Sequence, residues 1–426
     1  MTPGRLGLFD AFGVELEYMI VDRQTLGVRP IADRVLMAGA RSAEPVSDAE
    51  VPETGIGWSN ELVLHVIELK TVEPVPALAG LPARFADSVR RVNRILSSLG
   101  ARLMPSAMHP LMDPARDMRL WPHDNAEIYA AFDRIFGCTG HGWSNLQSVH
   151  LNLPFRGDEE FGRLHAAVRL ILPMLPALAA SSPMMDGRVT GVADNRLAVY
   201  RTNARRVPSV SGQVIPEPVF TRADYQARVL EGIYADLRPL DPEGLLREEW
   251  VNARGAIARF SRNSIEVRVL DVQETPGADV AICAAIVAVL RNLVAERWSP
   301  LARQQAWETA PLHRILLRTI DRAEEAVISE RDYLDALGVP ASLGAAPTAG
   351  AVWDHLVGQC VRSDPGAGEF VPALDRILRQ GTLSTRLRRR LGPTPSPERV
   401  TDVYRELCEC LPSAARPAGG MFDAPA

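Results

Sequence analysis

Three segments far apart in the chain alternate apolar and polar residues with a period of two, which is typical of strands with one buried face. The segments are 13–22, 146–155 and 264–271. In the first of them, Glu15 and Glu17 share the face opposite the apolar residues. The pattern therefore predicts three strands, each with polar side chains on one side and a hydrophobic core on the other.

The other two segments carry further ligating side chains on their polar faces. Ser148, His150 and Asn152 share one face of the second segment, and Glu266 and Arg268 share one face of the third. Carboxylates with an imidazole suit a hard divalent cation, and a guanidinium suits a phosphate. Since apolar side chains could hold neither ion, the sequence predicts an ion-binding surface on these strands.

Helical spacing and turn residues predict the elements between and after these strands. Up to residue 145 they are two strands within 13–75 with a helix or loop near 33–40, a helix over 77–100 ending at Gly100, and a loop-rich stretch over 104–145. After residue 155 they are a helix over 159–181 kinked at Pro173 and Pro176, a loop over 185–225 with one short helix near 193–201, a hairpin over 256–272 turning at Arg262 and Asn263, and a buried helix over 277–297.

The order of strands and helices favours an α+β fold. We expect a sheet-containing domain over 1–300, a helical accessory region over 301–411 and a disordered tail over 412–426. With 46% apolar and 23% charged residues, the composition of the 426-residue chain is that of a soluble globular protein.

Charge and hydropathy exclude several classes of protein. The net charge of −5 provides no basic excess for a general nucleic-acid binder. The most apolar run, 280–290, falls short of the roughly 20 residues needed to span a bilayer. The five cysteines show no metal-binding spacing, which favours reduced thiols in a cytoplasmic protein.

Each polar group also has a plain structural explanation. The two glutamates of 13–22 could form a solvated sheet face, Glu68 could pair with Lys70, and His150 could be a structural histidine. Arg268 could simply pair with Glu266. Together these explanations require several half-buried charges on one sheet, which is unfavourable unless each is paired or bound to a metal. An oxygen-rich site with one imidazole suits Mg²⁺ or Mn²⁺ better than a structural zinc.

Two further groups have alternative interpretations. Glu61 and Glu68 are seven residues apart in segment 59–71, so they converge only through a bulge or if Glu61 precedes the strand. A basic cluster within 188–206 is either a solvated patch or a clamp for carboxylate or phosphate oxygens. Its members are Arg188, Arg196, Arg201, Arg205 and Arg206.

Motifs of several nucleotide-binding and hydrolytic families are absent from the sequence. It has no G-x-x-x-x-G-K-[ST] loop, no G-x-G-x-x-G after a strand, no G-x-S-x-G turn and no H-E-x-x-H helix. An ATP-dependent enzyme with this sequence would therefore hold its nucleotide through metals on a sheet.

The motifs resemble those of the bacterial carboxylate–amine ligase family, which includes one class of glutamate–cysteine ligases. Their order and spacing agree from about residue 13 to 295. The matching segments are GVELEYMIVD, ELVLHVIELKT, MHP at 108–110, QSVHLN, LAASSPMMDGRVTG with DNRLAVYR over 178–201, and SIEVRVLDVQETP over 264–276.

This resemblance implies a curved antiparallel sheet of the glutamine synthetase and guanidino kinase type, with ATP and Mg²⁺ or Mn²⁺ bound on its concave face. Ser148 departs from the family pattern, in which that position is often a first histidine. Carried over by position, the implied metal ligands are Glu15, Glu17, Glu61, Glu68, His150 and Glu266. The implied catalytic residues are Arg196 and Arg268, with Arg196 and Arg201 on the substrate and Arg259 and Arg268 on the nucleotide phosphates.

The implied reaction joins a carboxylate, most simply the γ-carboxylate of glutamate, to an amine such as cysteine. ATP would convert the carboxylate to an acyl phosphate, which the amine then attacks. Asp271 or Glu217 is a candidate acceptor of the amine proton, while the cysteines have no role. The acceptor is a small amino acid or a peptide end, with no nucleic acid or membrane partner, and a homo-oligomer is possible on this sequence. The alternatives are a small-molecule kinase and a nucleotide-binding regulatory protein without turnover.

Overall fold

The computed structural model describes residues 6–51 and 53–413. The strands are β1 (Gly13–Asp22), β2 (Asp48–Val51), β3 (Ile56–Asn60), β4 (Val66–Thr71), β5 (Ala101–Met104), β6 (Ser148–Pro154), β7 (Met184–Met185), β8 (Arg188–Val189), β9 (Ala256–Arg259) and β10 (Ser264–Asp271). The first ten helices are α1 (Ala32–Ala40), α2 (Leu81–Ser98), α3 (Pro114–Asp117), α4 (Ala126–Phe136), α5 (His141–Ser144), α6 (Gly157–Ile171), α7 (Pro176–Ala179), α8 (Asn195–Asn203), α9 (Arg222–Tyr225) and α10 (Glu231–Leu237). The later helices are α11 (Pro276–Val294), α12 (Leu301–Gln305), α13 (Thr309–Arg322), α14 (Arg331–Ala336), α15 (Ala349–Cys360), α16 (Val371–Gln380), α17 (Leu383–Leu391) and α18 (Pro397–Cys410).

Strand β1 lies at the centre of an eight-stranded antiparallel sheet. The strand order is β2-β3-β4-β1-β6-β10-β9, and β5 also pairs with β1. Residues Val14, Leu16 and Tyr18 of β1 are completely buried. Since their face is covered by helices, the alternating residues Glu15 and Glu17 lie on the opposite, open face.

Helix α11 is the main helix beneath the sheet. It contacts β1, α2, α6, α15 and α16. Thr275 caps its N-terminus, because the Thr275 side chain accepts a hydrogen bond from the amide of Ala278. Its length and composition would allow it to cross a membrane, but 72% of its most apolar 18 residues are buried inside the fold. Burial on several sides explains why this helix lacks a polar face.

Several predicted elements are confirmed. The three alternating segments form β1, β6 and β10, and β9 and β10 form the expected hairpin, with Asn263 at a positive φ of 52° in the turn. The long helix predicted over 159–181 is interrupted after Ile171. Proline lacks an amide hydrogen, so Pro173 cannot continue the helical hydrogen bonds, and the chain resumes at α7 with Pro176.

Other predictions were wrong in detail. Segment 13–75 contains four strands rather than two. The prediction missed β2, which alternates polar and apolar residues over only four positions, and β3, whose burial shows no alternation. The strand predicted over 59–71 is divided, since the chain leaves the sheet between β3 and β4. The stretch over 104–145 is less loop-rich than predicted, because it contains the eleven-residue helix α4 as well as the short helices α3 and α5.

The helices after residue 300 pack on the sheet-containing part through a buried ion pair. Arg386 on α17 donates from Nη1 to Oε1 of Glu274 at 2.6 Å and from Nη2 to Oε2 at 3.1 Å. Both side chains are about 97% buried. Glu274 lies three residues after the end of β10, so this pair connects the C-terminal helices to the end of that strand. The division at residue 300 stays a prediction, and the predicted tail lies outside the described residues from residue 414 onward.

Replacing Arg386 by alanine should lower the free energy of unfolding by about 3–5 kcal/mol, because Glu274 would remain charged and buried without a partner. Urea denaturation measures the loss. Arg389→Ala, which removes an exposed arginine from the same helix, is the control and should change stability little.

The stability difference should also depend on pH. Burial alone would raise the pKa of Glu274, but Arg386 holds it below its ordinary value. The ion pair therefore stabilises the fold above the ordinary glutamate pKa, and the contribution is lost as the pH falls through the lowered pKa. A difference between the Arg386→Ala variant and the parent that stays constant into strong acid would contradict this assignment.

Candidate active site

The register of the sheet brings the predicted ligating residues together. Glu15 on β1 lies between Lys70 on β4 and His150 on β6, and Glu17 lies beside Glu68. One face of the sheet therefore collects side chains from segments that are more than 130 residues apart.

Glu61 joins this group from outside the strands. It follows the last residue of β3 and precedes β4, in the loop between them. This is one of the two arrangements that the sequence allowed for Glu61 and Glu68. No bulge is needed there, because Glu61 is not bound by the alternation of a strand.

All six predicted metal ligands line one cleft of about 580 Å³, together with Arg196, Arg259 and Arg268. Arg201 does not line this cleft, and its side chain is exposed on α8. The five glutamates of the cleft are called the acidic cluster here: Glu15, Glu17, Glu61, Glu68 and Glu266.

Two sets of side chains in the cleft are compact enough to hold a cation. Ligand atoms of Glu15, Glu68 and His150 lie within 4.8 Å of one another, and so do those of Glu17, Glu61 and Glu68. Oxygen-rich sets of this kind suit Mg²⁺ or Mn²⁺. Because Glu68 belongs to both sets, two ions bound there would be neighbours.

The charges of the acidic cluster are not balanced at every position. Burial raises the pKa of Glu17, and the neighbouring Glu68 adds to the shift. The pKa of Glu61 is raised well above its ordinary value by burial and then by Glu17 and Glu68. A bound divalent cation would relieve both effects, so this donor set fits a metal.

His150 is held by the carboxylates around it. Its Nδ1 lies 2.9 Å from Oε2 of Glu15, and its Nε2 lies 3.6 Å from Oε1 of Glu17. Burial would lower the pKa of His150, but the Glu15 hydrogen bond and the charges of Glu17, Glu15 and Glu266 raise it to about 9. The same hydrogen bond keeps the pKa of Glu15 below its ordinary value despite burial.

Ser148 has a definite part in this arrangement. Its amide and its Oγ both donate to Oε2 of Glu17, at 2.7 and 2.9 Å, and its Oγ lies 3.0 Å from Nε2 of His150. The residue that departs from the family pattern therefore orients two of the predicted ligands.

The arginines of β9 and β10 form a fork around Glu266. Nη1 of Arg259 lies 3.0 Å from Oε2, and Nη2 of Arg268 lies 3.0 Å from Oε1. The ion pair considered as an alternative for Arg268 is thus present. In the described part of the chain, the buried Nε of each arginine has no hydrogen-bond partner. Each guanidinium carries more N–H donors than its contact with Glu266 uses, so the pair can bind an anion as well.

Arg196 is fixed by Asp271, which lies beneath the cleft. Arg196 Nε donates to Oδ1 of Asp271 at 2.5 Å, and Asp271 also accepts from the Ser181 amide and from Ser182 Oγ. A bulge between Val267 and Leu270 shifts the register of β10. Alternation along the sequence therefore could not place Asp271.

Neither candidate proton acceptor lines the cleft. Asp271 is completely buried and occupied by the donors named above. Glu217 forms a two-pronged pair with Arg254, with distances of 2.6 and 2.7 Å.

The ligating pattern on the strands does not predict the apolar side of the cleft. That side is formed by α4, α5 and the short turn over 249–251. We call these residues the aromatic wall: Ile128, Tyr129, Phe132, Trp143 and Trp250. Helical spacing of Ile128, Phe132 and Ile135 was the available signal, and the prediction of a loop-rich stretch over 104–145 did not use it.

A second cavity of about 810 Å³ adjoins the cleft. The two share five lining residues: Glu15, Asn60, Lys70, Asn125 and Arg262. The second cavity is partly apolar, with Trp58 and Val72 among its lining residues. The cleft and the second cavity therefore meet at these shared residues, of which Glu15 belongs to the acidic cluster.

Comparison with known proteins agrees with this geometry. The sequence model of glutamate–cysteine ligase family 2 (GCS2) matches residues 11–406. A protein of Archaeoglobus fulgidus described as uncharacterized is 36% identical over 76% of this chain and 87% of its own length. A Rubrobacter xylanophilus protein provisionally named glutamate–cysteine ligase 2-3 is 26% identical over 76% of this chain and 81% of its own.

A solved structure shares the fold. The glutamate–cysteine ligase of Francisella tularensis, in complex with AMP, superimposes with a TM-score of 0.56 at 11% sequence identity. The match covers 95% of this chain and 89% of that one. This chain therefore shares its mixed architecture of helices and an antiparallel sheet with that structure.

Glu68→Gln should weaken both cation sites, whereas Glu61→Gln should weaken one, because Glu68 belongs to both sets of ligand atoms. Titration with Mn²⁺ followed by electron paramagnetic resonance measures the bound and free ion. We expect affinity to fall by about 10- to 100-fold at each affected site. Glu127→Gln on the exposed face of α4 is the control, and equal losses in all three variants would contradict the assignment.

Proposed function

We propose that this chain, which belongs to glutamate–cysteine ligase family 2, is an ATP-dependent carboxylate–amine ligase that forms an amide through an acyl phosphate. The observation that carries the proposal is the meeting of six ligating side chains and three arginines in one cleft. We further propose that its sheet is of the glutamine synthetase type, with nucleotide and amino acid entering from opposite ends of that cleft.

We place the nucleotide at the end of the cleft near Arg259 and Arg268, with the base in the adjoining cavity. The two guanidinium groups provide donors for phosphate oxygens, and the exposed Val72 provides apolar surface for a base. The AMP in the Francisella tularensis ligase supports an adenine nucleotide as ligand of this fold.

The residues of the acidic cluster, with His150, would hold Mg²⁺ or Mn²⁺. Divalent ions at this position neutralise charge on a phosphoryl group during its transfer. The protein holds the ligand oxygens in place through Ser148, which fixes Glu17, and through Asn152, whose Nδ2 donates to Oε1 of Glu15 at 2.9 Å. These contacts reduce the rearrangement that binding requires.

The carboxylate donor is placed by Arg196. Asp271 accepts a hydrogen bond from the Nε of Arg196. Both terminal nitrogens of Arg196 lie 3.4 Å from the carbonyl oxygen of Arg268, a distance at which hydrogen bonds are weak. The guanidinium can therefore receive a carboxylate without losing its anchor. Glutamate fits this arrangement, with its α-carboxylate on Arg196 and its γ-carboxylate directed to the phosphoryl donor.

The chemistry follows from leaving groups. Oxide cannot leave from a carboxylate, whereas phosphate leaves readily from an acyl phosphate. Arg268 and Arg259 stabilise negative charge as it shifts toward ADP. An amine then attacks the acyl carbon, and the C–O bond to phosphate breaks.

Purified protein supplied with ATP, Mg²⁺, glutamate and an amine should release ADP and form a product that mass spectrometry identifies as the amide. Cysteine belongs in the amine panel because the family is named after it. A stable phosphorylated small molecule would instead identify a kinase. Nucleotide binding without ADP release for any carboxylate would identify a regulatory protein and contradict the proposal.

Arg268→Ala should reduce kcat by about 10²- to 10³-fold, since it removes a donor that stabilises charge in the transition state. Glu266 keeps its ion pair with Arg259, so the variant should fold. Steady-state ADP release measures the effect. Arg228→Ala, which removes an exposed arginine outside the cleft, is the control, and similar rates in both variants would contradict the role of Arg268.

A further inference from the structure

The cleft has two chemically different sides. The acidic cluster lies on the sheet, and the aromatic wall lies on α4, α5 and the turn over 249–251. The ring of Phe132 lies 5.4 Å from that of Trp143 and 5.9 Å from that of Trp250, measured between centroids. The rings therefore form one continuous apolar surface that faces the site of bond formation.

Polar contacts hold the aromatic wall in place at its edges. The hydroxyl of Tyr129 accepts a hydrogen bond from Nδ2 of Asn60 at 2.9 Å, and Nε1 of Trp143 donates to the carbonyl oxygen of Asn203 at 3.1 Å. Ile128, Tyr129, Trp143 and Trp250 are all partly exposed to the cleft. A ligand can therefore reach this surface without displacing it.

The basic side chains of the cleft are carried by β4, α8, β9, β10 and the hairpin turn, which are not elements of the aromatic wall. Within the described residues, four of the five have an acidic partner: Lys70 with Glu68, Arg196 with Asp271, and Arg259 and Arg268 with Glu266. The fifth, Arg262, lies in the hairpin turn and also lines the adjoining cavity.

The elements that carry the aromatic wall add no cation of their own to the lining. Within the described part of the chain, no lysine, arginine or histidine of α4, α5 or the turn over 249–251 lines the cleft. A carboxylate placed against the wall would therefore meet apolar rings, and no element of the wall would supply it with a positive partner.

We propose that the acceptor of the ligase is a primary amine with an apolar aryl or alkyl body and no carboxylate beside the amino group. This inference rests on the proposed function and specifies its second substrate. The rings bind the apolar body, and the ammonium group is itself favoured over aromatic faces. An α-amino acid such as cysteine is disfavoured because its carboxylate has no partner there.

The reaction at this position balances as follows. The ammonium group loses a proton to water, and the free nitrogen forms a bond to the acyl carbon. The C–O bond to phosphate breaks, and phosphate leaves with the electron pair. The nitrogen gives its second proton to water, and a neutral amide remains.

Matched pairs of amines test the proposal. Cysteamine and cysteine share a thiol and differ in the carboxylate, as phenethylamine and phenylalanine share a phenyl ring. With ATP, Mg²⁺ and glutamate, we expect kcat/KM for each amine to exceed that for its carboxylated partner by at least about tenfold. The kcat/KM for phenethylamine should also exceed that for cysteamine, because the phenyl ring makes more apolar contact with the aromatic wall. Equal or better use of cysteine or phenylalanine would overturn the inference.

Hydroxylamine separates this inference from the proposed function. It is small enough to attack an acyl phosphate without contacting the aromatic wall, and the hydroxamate that forms gives a coloured iron complex. If hydroxamate forms but the enzyme does not prefer the carboxylate-free amines, the proposed ligase function is retained and the proposed acceptor class is overturned. Absence of hydroxamate overturns the proposed function, and the acceptor class with it.

Substitutions in the wall should change the preference itself. Ile128→Ala should raise KM for phenethylamine about tenfold through lost apolar contact. Ile128→Arg should raise kcat/KM for phenylalanine, because it supplies the missing cation. Glu127→Ala, the exposed neighbour outside the cleft, is the control and should leave both values unchanged, while circular dichroism checks folding. An unchanged ratio in both Ile128 variants would overturn the inference.

Discussion

The repulsion among five carboxylates on one face of a sheet is the constraint that organises this molecule. Glu15 and Glu17 on the central strand meet Glu68 on the neighbouring β4 and Glu266 on β10, with Glu61 in the loop after β3. Buried like charges are tolerated only when other groups compensate them. Lys70, His150, Arg259 and Arg268 supply part of this compensation, and the raised pKa values of Glu17 and Glu61 show where it is incomplete.

The positive groups are themselves positioned by residues that do not touch the cleft. Asp271 fixes Arg196 from below, and the serines at 181 and 182 fix Asp271. Three residues after Asp271, Glu274 connects the end of β10 with the C-terminal helices through Arg386. The end of one strand therefore fixes an arginine of the cleft and packs two parts of the chain together, which gives the cleft a rigid base.

Much of the sheet could be predicted from alternation alone, because β1, β6 and β10 each bury one face and expose the other. Six ligating residues could be named, and all six lie in one cleft. The position of Glu61 stayed open, since a loop residue follows no periodicity. The bulge that reorients Asp271 escaped prediction because it leaves no regular pattern and depends on tertiary contacts. The helix that carries Phe132 does have apolar residues at helical spacing, which the prediction of a loop-rich stretch did not use. The exact extent of the domains stays a prediction.

The antiparallel pairing of β1 with β4, β5 and β6 has a consequence for how such a protein can diverge. Substitutions on its buried face change packing gradually, but an insertion or deletion of one residue before Glu15 would turn both carboxylates toward α11. Length variation among descendants must then be confined to the connecting loops. Lineages that acquire new specificity would keep the spacing of this strand and remodel the segments around α4.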